Sequence, residues 1–262
     1  MTVCDSSLRT VSAAQRMGNA QQVVFCDFDG PIVDVSERYY RTYRRGLTEI
    51  ALVYRQESCR ELAITPLSKQ DFWRHKQARM PDLTIALHSG VPEDWFERYM
   101  HQIENLVNHT SLLRWDRIQP TAKAALTRLR QANIRLILVT LRHPRQVNAF
   151  LKAKGLDCLI DGVYGASSNV AAYRNRVEQK RELLREAITQ QISQGHCTQH
   201  SWMIGDTEAD ILAAQAAGLS SAALSCGVRS RDYLQTLEPT EIYDELLTAV
   251  QNVVTSKHWW AA

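Results

Sequence analysis

Hydrophobic residues along this chain follow two alternating rhythms. Short runs dense in Val, Ile, Leu and Phe end in polar residues or glycine: "QVVFCDFDG" (22–30), "IRLILVT" (134–140), "CLIDGVYG" (158–165), "SWMIGD" (201–206) and "SSAALSCGV" (220–228). Their nearly continuous apolar character predicts strands buried on both faces. Between the later runs, apolar residues recur three and four positions apart. In "TAKAALTRLRQAN" the residues Ala125, Leu126, Leu129 and Ala132 keep helical spacing, with Pro120 near the first turn. "HPRQVNAFLKAKG" closes on Gly155 and "TEADILAAQAAG" on Gly218, as helices capped by glycine do, and "EQKRELLREAITQQI" has the same helical pattern. Strands alternating with amphipathic helices predict an α/β, doubly wound fold with a parallel sheet. Ligands of such folds sit outside the carboxyl ends of the strands, where Asp27, Thr140 and Asp206 each stand.

One stretch breaks the alternation. From Val35 to Trp115 the pattern is helix after helix ("SERYYRTYRRGLTEIALVYRQ", "SKQDFWRHKQ", "DWFERYMHQIENLVNH"), with breaks at "TPLS", "MPDLT" and "SGVPED". A span of that length is too long for a loop. It predicts an inserted helical domain at 35–115, joined to a core made of 21–34 and 116–262. Residues 1–20, rich in Ser, Thr, Asn and Gln, are expected to form a loose leader.

Composition narrows the class. With 45% hydrophobic and 23% charged residues, the chain is expected to be globular, soluble and cytoplasmic. No apolar run approaches the roughly 20 residues that span a bilayer, and the start lacks a secretory signal pattern, which sets aside a membrane role and the "NHT" glycosylation match at 108–110. A net charge of +3 is too small to argue for nucleic acid. The six cysteines show no C-x-x-C pair and no zinc spacing, which implies a reducing compartment, and Cys26 and Cys226 read as small buried hydrophobes. Arg38, Arg41 and Arg45 share a helical face, either solvated or forming an anion-facing surface beside the carboxylates. Trp259 and Trp260 at the end either dock on the core or meet a second copy, so the chain is expected to be a monomer or a homodimer.

The candidate chemistry begins at Asp27 and Asp29, two carboxylates at the tip of the first strand. Two such charges repel unless something positive lies beside them. A carboxylate attacks a phosphoryl group only when the substrate's charge is neutralised, and a hard divalent cation with oxygen ligands, most simply Mg²⁺, does this. A second carboxylate two residues on, pointing the same way, suits a general acid and base, and Gly30 permits the turn that exposes both. Asp206 in "GDTEAD" can complete a cation's ligand set, and Asp210, one helical turn later, can orient what surrounds it. Thr140 offers a hydroxyl, and its neighbours, Leu141 first, offer backbone N–H groups to phosphate oxygens. Lys180 precedes Asp206 by one helix and one strand, a distance that returns it to the same sheet edge.

With these four motifs in order over residues 22–228, the chain resembles the haloacid dehalogenase (HAD-like) superfamily, in its branch of phosphoglycolate phosphatases and β-phosphoglucomutases with a helical cap. "DFDGPIVD" is similar to the first motif, the Thr of "LVTLR" to the second, Lys180 to the third and "GDTEAD" to the fourth. The resemblance implies a Rossmann-like core, a nucleophile at Asp27 that forms an aspartyl-phosphate, and an acid/base at Asp29. It also implies phosphate-stabilising Thr140 and Lys180, and Mg²⁺ held by Asp27, Asp206 and the backbone carbonyl of Asp29. The helical insertion is then a mobile cap that selects the substrate. A carboxylate at position 29 implies phosphatase or phosphomutase chemistry rather than dehalogenation.

Two positions depart from the pattern. Pro31 stands where Thr or Ser is common, and the usual Pro after the third-motif lysine is missing, which leaves Arg174, Arg176 and Arg181 as rivals to Lys180. For the substrate, Lys76 and Arg79 before the Pro81 break, and Arg142 with His143 after Thr140, supply cations suited to a small anionic phosphate ester of the phosphoglycolate or sugar-phosphate kind. The alternatives are a phosphomutase and a non-catalytic module that senses a phosphorylated metabolite.

Overall fold

The structure, a computed structural model, describes residues 20–167 and 171–255. The leader, Cys4, Trp259 and Trp260 lie outside these residues. Strand β1 (Gln22–Cys26) leads to a short ribbon in which β2 (Val33–Asp34) pairs antiparallel with β3 (Arg117–Ile118). Between the two ribbon strands lie α1 (Ser36–Ser58), α2 (Lys69–Gln77), α3 (Asp82–His88), α4 (Phe96–Val107) and α5 (Thr110–Leu113). The chain continues through α6 (Ala122–Gln131), β4 (Arg135–Thr140), α7 (Pro144–Lys154), β5 (Gly162–Gly165), α8 (Ala171–Arg174), α9 (Val177–Ser193) and β6 (Cys197–Gly205). It ends with α10 (Glu208–Ala216), β7 (Ser220–Leu224), α11 (Arg231–Gln235), β8 (Glu241–Tyr243) and α12 (Leu246–Thr255).

Six strands form one parallel sheet in the order β5-β4-β1-β6-β7-β8. Successive side chains of a strand point to opposite faces, and both faces of β1 are apolar. Val24 and Cys26 join Leu136 and Leu138 of β4 against α6, α7 and α12, while Val23 and Phe25 pack with Ile137, Val139 and Met203 against α9 and α10. Helices on both faces make the fold the doubly wound α/β arrangement expected from the hydrophobic rhythm. The chain moves from β1 outward to β5, then returns to place β6 on the other side of β1. That reversal opens a crevice at the carboxyl ends of β1 and β6.

Several strands differ from the sequence expectation, β6 among them, which starts at Cys197 and not at Ser201. The run 158–165 joins the sheet only at Gly162, because a 3₁₀ turn covers Asp157–Leu159 and Asp161 then exchanges two bonds with Leu136, at 2.9 Å each, one of them through its carboxylate. The run 220–228 stops at Leu224, since Gly227 and Val228 turn back against Asp206. Strand β8 was not anticipated; it is three residues long, and reciprocal 3.0 Å bonds between Ser221 and Thr240 lead into it.

The helices of 36–113 pack through α1 and α4, with Tyr43, Leu47 and Ile50 against Tyr99, Ile103 and Val107. Of the arginines on α1, Arg41 and Arg45 pair with Glu37 and Glu49 at the surface, whereas Arg38 is fully buried. No helix among the described residues is long and apolar enough to cross a membrane. The five described cysteines are unpaired; Cys26 is buried and Cys226 half-buried.

Candidate active site

The backbone amide of Asp27 donates to the Ile204 carbonyl at 2.8 Å, extending the β1–β6 ladder by one residue and fixing Asp27 at the mouth of the crevice. Its Oδ1 accepts from the Phe28 amide at 2.7 Å and faces Lys180 Nζ at 2.9 Å. Lys180, on the first turn of α9, also meets Asp210 Oδ1 at 2.8 Å and donates to the Val139 carbonyl at 2.9 Å. The rivals lie elsewhere: Arg174 pairs with Glu104, Arg181 with Glu178, and Arg176 is exposed.

Asp206 follows β6 and is fully buried between two glycines. A Cβ on Gly30, whose φ is +98°, would come 2.2 Å from the Asp206 carboxyl, and one on Gly227 would come 2.1 Å from Oδ2. Asp206 Oδ2 accepts from the Val228 amide at 2.6 Å, while Oδ1 is buried with no hydrogen-bond partner. Asp210 Oδ2 accepts from the amides of Asp206 and Thr207 and from the Thr207 hydroxyl, a capping box that starts α10 and holds the turn carrying Asp206.

Oxygens of Asp27, Asp206 and Asp210 lie within 4.8 Å of one another, against one ammonium. Burial raises their proton affinities, and the one ammonium does not offset it. Burial, with Asp210 adding to it, pushes Asp27 up to about 7 despite Lys180. Burial, then Asp210 and Asp27, push Asp206 well above the usual carboxylate range. Lys180 is driven up by Asp210 and Asp27, which outweigh the opposing effect of its burial. An orphaned buried oxygen within an all-oxygen, positively deficient cluster fits a hard divalent cation.

Asp29 sits in a different environment. Burial opposes its ionisation, but Arg38 and Arg142 outweigh it and hold the carboxyl below the usual range. Arg38 Nη2 meets Oδ2 at 2.7 Å and Arg142 Nη1 meets Oδ1 at 3.0 Å. The same two arginines reach Asp116 at 2.7 Å each. Its side chain therefore belongs to this ring and not to the cluster of Asp27, Asp206 and Asp210.

These residues surround a cavity of about 40 Å³, enough for a few waters. Asp27, Asp29, Thr140, Leu141 and Arg142 line one side; Tyr39, Lys76, Tyr173 and Arg229 close over it. Thr140 Oγ1 accepts from the Arg142 amide at 3.2 Å. The other cations proposed for substrate are engaged. Lys76 Nζ pairs with Asp82 at 2.9 Å, and Arg79, outside the cavity wall, pairs with Glu208 at 2.8 Å. His143 turns to cap α7, accepting from the Arg145 amide at 3.1 Å.

Sequence reading missed Arg38 as a carboxylate partner, Asp116, and the Arg229–Glu208 pair. Arg229 Nε and Nη2 bind the two oxygens of Glu208 at 2.8 and 3.0 Å, and its Nη1 donates to the Lys76 carbonyl at 3.1 Å, joining the β7 turn to α2. A local signal existed only for Glu208, which stands inside "GDTEAD".

The family model for haloacid dehalogenase-like hydrolases matches residues 21–218. No curated protein matches the chain. Among solved structures, a predicted phosphatase from Clostridium acetobutylicum is 15% identical, covering 90% of this chain and 100% of its own, with a TM-score of 0.65. A predicted phosphoglycolate phosphatase from Haemophilus somnus is 18% identical over 88% of this chain and 97% of its own, with a TM-score of 0.60. The protein tyrosine kinase A of Mycobacterium tuberculosis is 19% identical over 88% and 98%, with a TM-score of 0.63. Identities this low carry the fold and not the activity. The match over three quarters of the sequence goes further: the chain belongs to the haloacid dehalogenase-like hydrolases.

Proposed function

We propose that the protein is a Mg²⁺-dependent phosphatase that hydrolyses a small anionic phosphate monoester through an aspartyl-phosphate. The observation that supports this most is the pairing of a positively deficient carboxylate cluster at Asp27 with a second carboxylate, Asp29, on the same cavity wall. Lys180 and the Phe28 amide occupy Oδ1 of Asp27, which leaves Oδ2 to attack phosphorus. The P–O bond to the leaving group breaks; Asp29, which Arg38 and Arg142 favour in its ionised form at rest, takes a proton from the monoanionic phosphate ester as it binds and gives it to the departing oxygen. Asp29, now ionised, takes a proton from water as that water attacks the phosphorylated Asp27, which releases phosphate and restores both groups. Thr140 and the Leu141 amide, on the same side of the cavity, would hold phosphate oxygens. Mg²⁺, held by Asp27, Asp206 and the Asp29 carbonyl with Asp210 behind them, would supply the countercharge for phosphate.

The helices of 35–115 are the proposed cap. The cavity holds only a few waters, and the proposed opening motion separates the helices from the core where they meet it at the Gln77–Ser230, Lys76–Arg229 and Arg79–Glu208 contacts. Lys76 and Arg142 line the closed cavity and face whatever leaving group it holds. A phosphate-release screen over phosphoglycolate, sugar phosphates and other metabolites with Mg²⁺ tests the reading. Turnover abolished by chelator and by Asp27→Asn is expected; turnover surviving Asp27→Asn would refute it.

A further inference from the structure

The ring around Asp29 is placed where the helical insertion joins the core. Arg38 lies on the first turn of α1, just after β2, and Asp116 immediately precedes β3, so the two residues mark the exit and return of the insertion. Asp29 and Arg142 come from the core, at the ends of β1 and β4. Each arginine binds both carboxylates, in four contacts of 2.7 to 3.0 Å. Arg38 is further held by Asn108 Oδ1 at 2.6 Å and the Val107 carbonyl at 3.2 Å, both at the end of α4. The side chains of Arg38, Arg142 and Asp116 are 1% exposed or less, while that of Asp29 keeps 12% open, on the cavity. Two positive and two negative groups balance, so the ring needs no outside ion and neither guanidinium carries surplus charge toward the phosphate.

We propose that Asp116 is a positioning residue for Asp29, acting through Arg38 and Arg142. A carboxylate bonded through one oxygen turns about its Cβ–Cγ bond. Asp29 is bonded through both; of its two partners, Arg38 is hydrogen-bonded to Asp116 and Arg142 is drawn to Asp116 as an ion pair at 2.7 Å. The open edge of Asp29 is thereby set toward the position of the leaving oxygen, and this holds only while both ends of the insertion are seated on the core. Each carboxylate oxygen retains a lone pair for that purpose. Because the ring closes across the insertion's two connections, it links the seating of the helices to the placement of the proton-transferring group. The inference rests on the proposed phosphatase reaction.

The test uses leaving-group dependence. p-Nitrophenyl phosphate releases a phenolate that departs without a proton, whereas 2-phosphoglycolate releases an alkoxide that needs one. Values of kcat/KM report steps up to transfer of the phosphoryl group to Asp27, where only the acid role of Asp29 enters. Asp116→Asn is expected to lower kcat/KM for 2-phosphoglycolate by about 10- to 100-fold, up to the lower limit of what acid catalysis contributes because Asp29 is displaced and not removed, and for p-nitrophenyl phosphate by less than about threefold. In an Asp29→Asn background, Asp116→Asn should cost nothing further on either substrate. If Asp116→Asn does not fold, Asp116→Glu keeps the charge while displacing its oxygens, and should give the same selective loss on 2-phosphoglycolate. Equal losses on both substrates, or a full additional loss without Asp29, would overturn the positioning role while leaving the phosphatase intact. A wild-type protein inert toward both and toward every ester of the metabolite screen, with Mg²⁺ present, overturns the phosphatase reading and this inference with it; an alkyl phosphate that the screen finds turned over takes the place of 2-phosphoglycolate in the comparison.

Discussion

Asp27 and Asp29 are two positions apart, yet they belong to opposite electrostatic designs. Asp27 sits with Asp206 and Asp210 around a single ammonium, and burial, with the neighbouring carboxylates adding to it, raises the proton affinity of Asp27 and Asp206 beyond what the nearby cations offset. Asp29 sits with Asp116 between two guanidiniums, in a balanced ring that keeps Asp29 below the usual range. Both groups are deeply buried, so burial does not separate them; the count of neighbouring cations does. A buried cluster that lacks countercharge is unfavourable unless an ion or a proton joins it, whereas a ring whose charges balance needs neither. The first is built to receive something and the second to hold something still.

The largest expected effect breaks the first design at its proposed nucleophile. Asp27→Asn should lower phosphate release by about a thousandfold or more, since loss of a nucleophile removes the covalent route. Next comes the countercharge. At about 100 times its Kd, Mg²⁺ should stabilise the wild type by about 2.7 kcal/mol, a rise in Tm of about 5 to 10 °C, and the rise should vanish in Asp206→Asn. In chelator the same variant should melt no lower than wild type, because it removes one of three mutually repelling carboxylates. A wild-type Tm indifferent to Mg²⁺ would contradict the reading of that cluster. The second design should answer in the opposite sense. Asp116→Asn leaves two buried guanidiniums with one carboxylate, and breaking a buried pair costs about 3 to 5 kcal/mol, readable by denaturant unfolding with or without Mg²⁺. Neutralising a carboxylate is thus expected to be harmless in one group and costly in the other.

How much of this was legible in sequence follows the same division. Asp27, Thr140 and Asp206 could be placed because each ends an apolar strand run, and all such ends lie on one edge of a parallel sheet. Lys180 could be placed because a helix and a strand return the chain by a known length. Arg38 and Asp116 could not. Arg38 shares its spacing with Arg41 and Arg45, and nothing local shows that it alone turns inward, toward a residue 78 positions away. Asp116 follows a short helix with no motif around it. Arg229 was hidden by the apparent continuation of the strand through 220–228, which ends early because Gly227 must approach Asp206 more closely than any side chain allows. Elements set by local periodicity could be read; pairings set by the meeting of distant loops could not.

Glu208 supplies an intermediate case and the smallest expected effect. It is held by Arg229, whose side chain is 5% exposed, and by Arg79, whose side chain is 43% exposed. Its carboxyl is pulled down to about 2, where burial is outweighed chiefly by the Arg229 bond. Removing Arg79 leaves that bond and the bidentate fork in place, and the lost contact was already screened by water. Arg79→Ala should therefore change stability by less than about 1 kcal/mol, and, because Arg79 lies outside the cavity wall, should leave KM within about twofold. Arg229→Ala, by contrast, strands a buried anion and also frees the Lys76 carbonyl, so its destabilisation should be several times larger. Were Arg79→Ala to raise KM tenfold with unchanged stability, Arg79 would be reaching the substrate in a conformation other than this one, and the contact with Glu208 would be only its resting place.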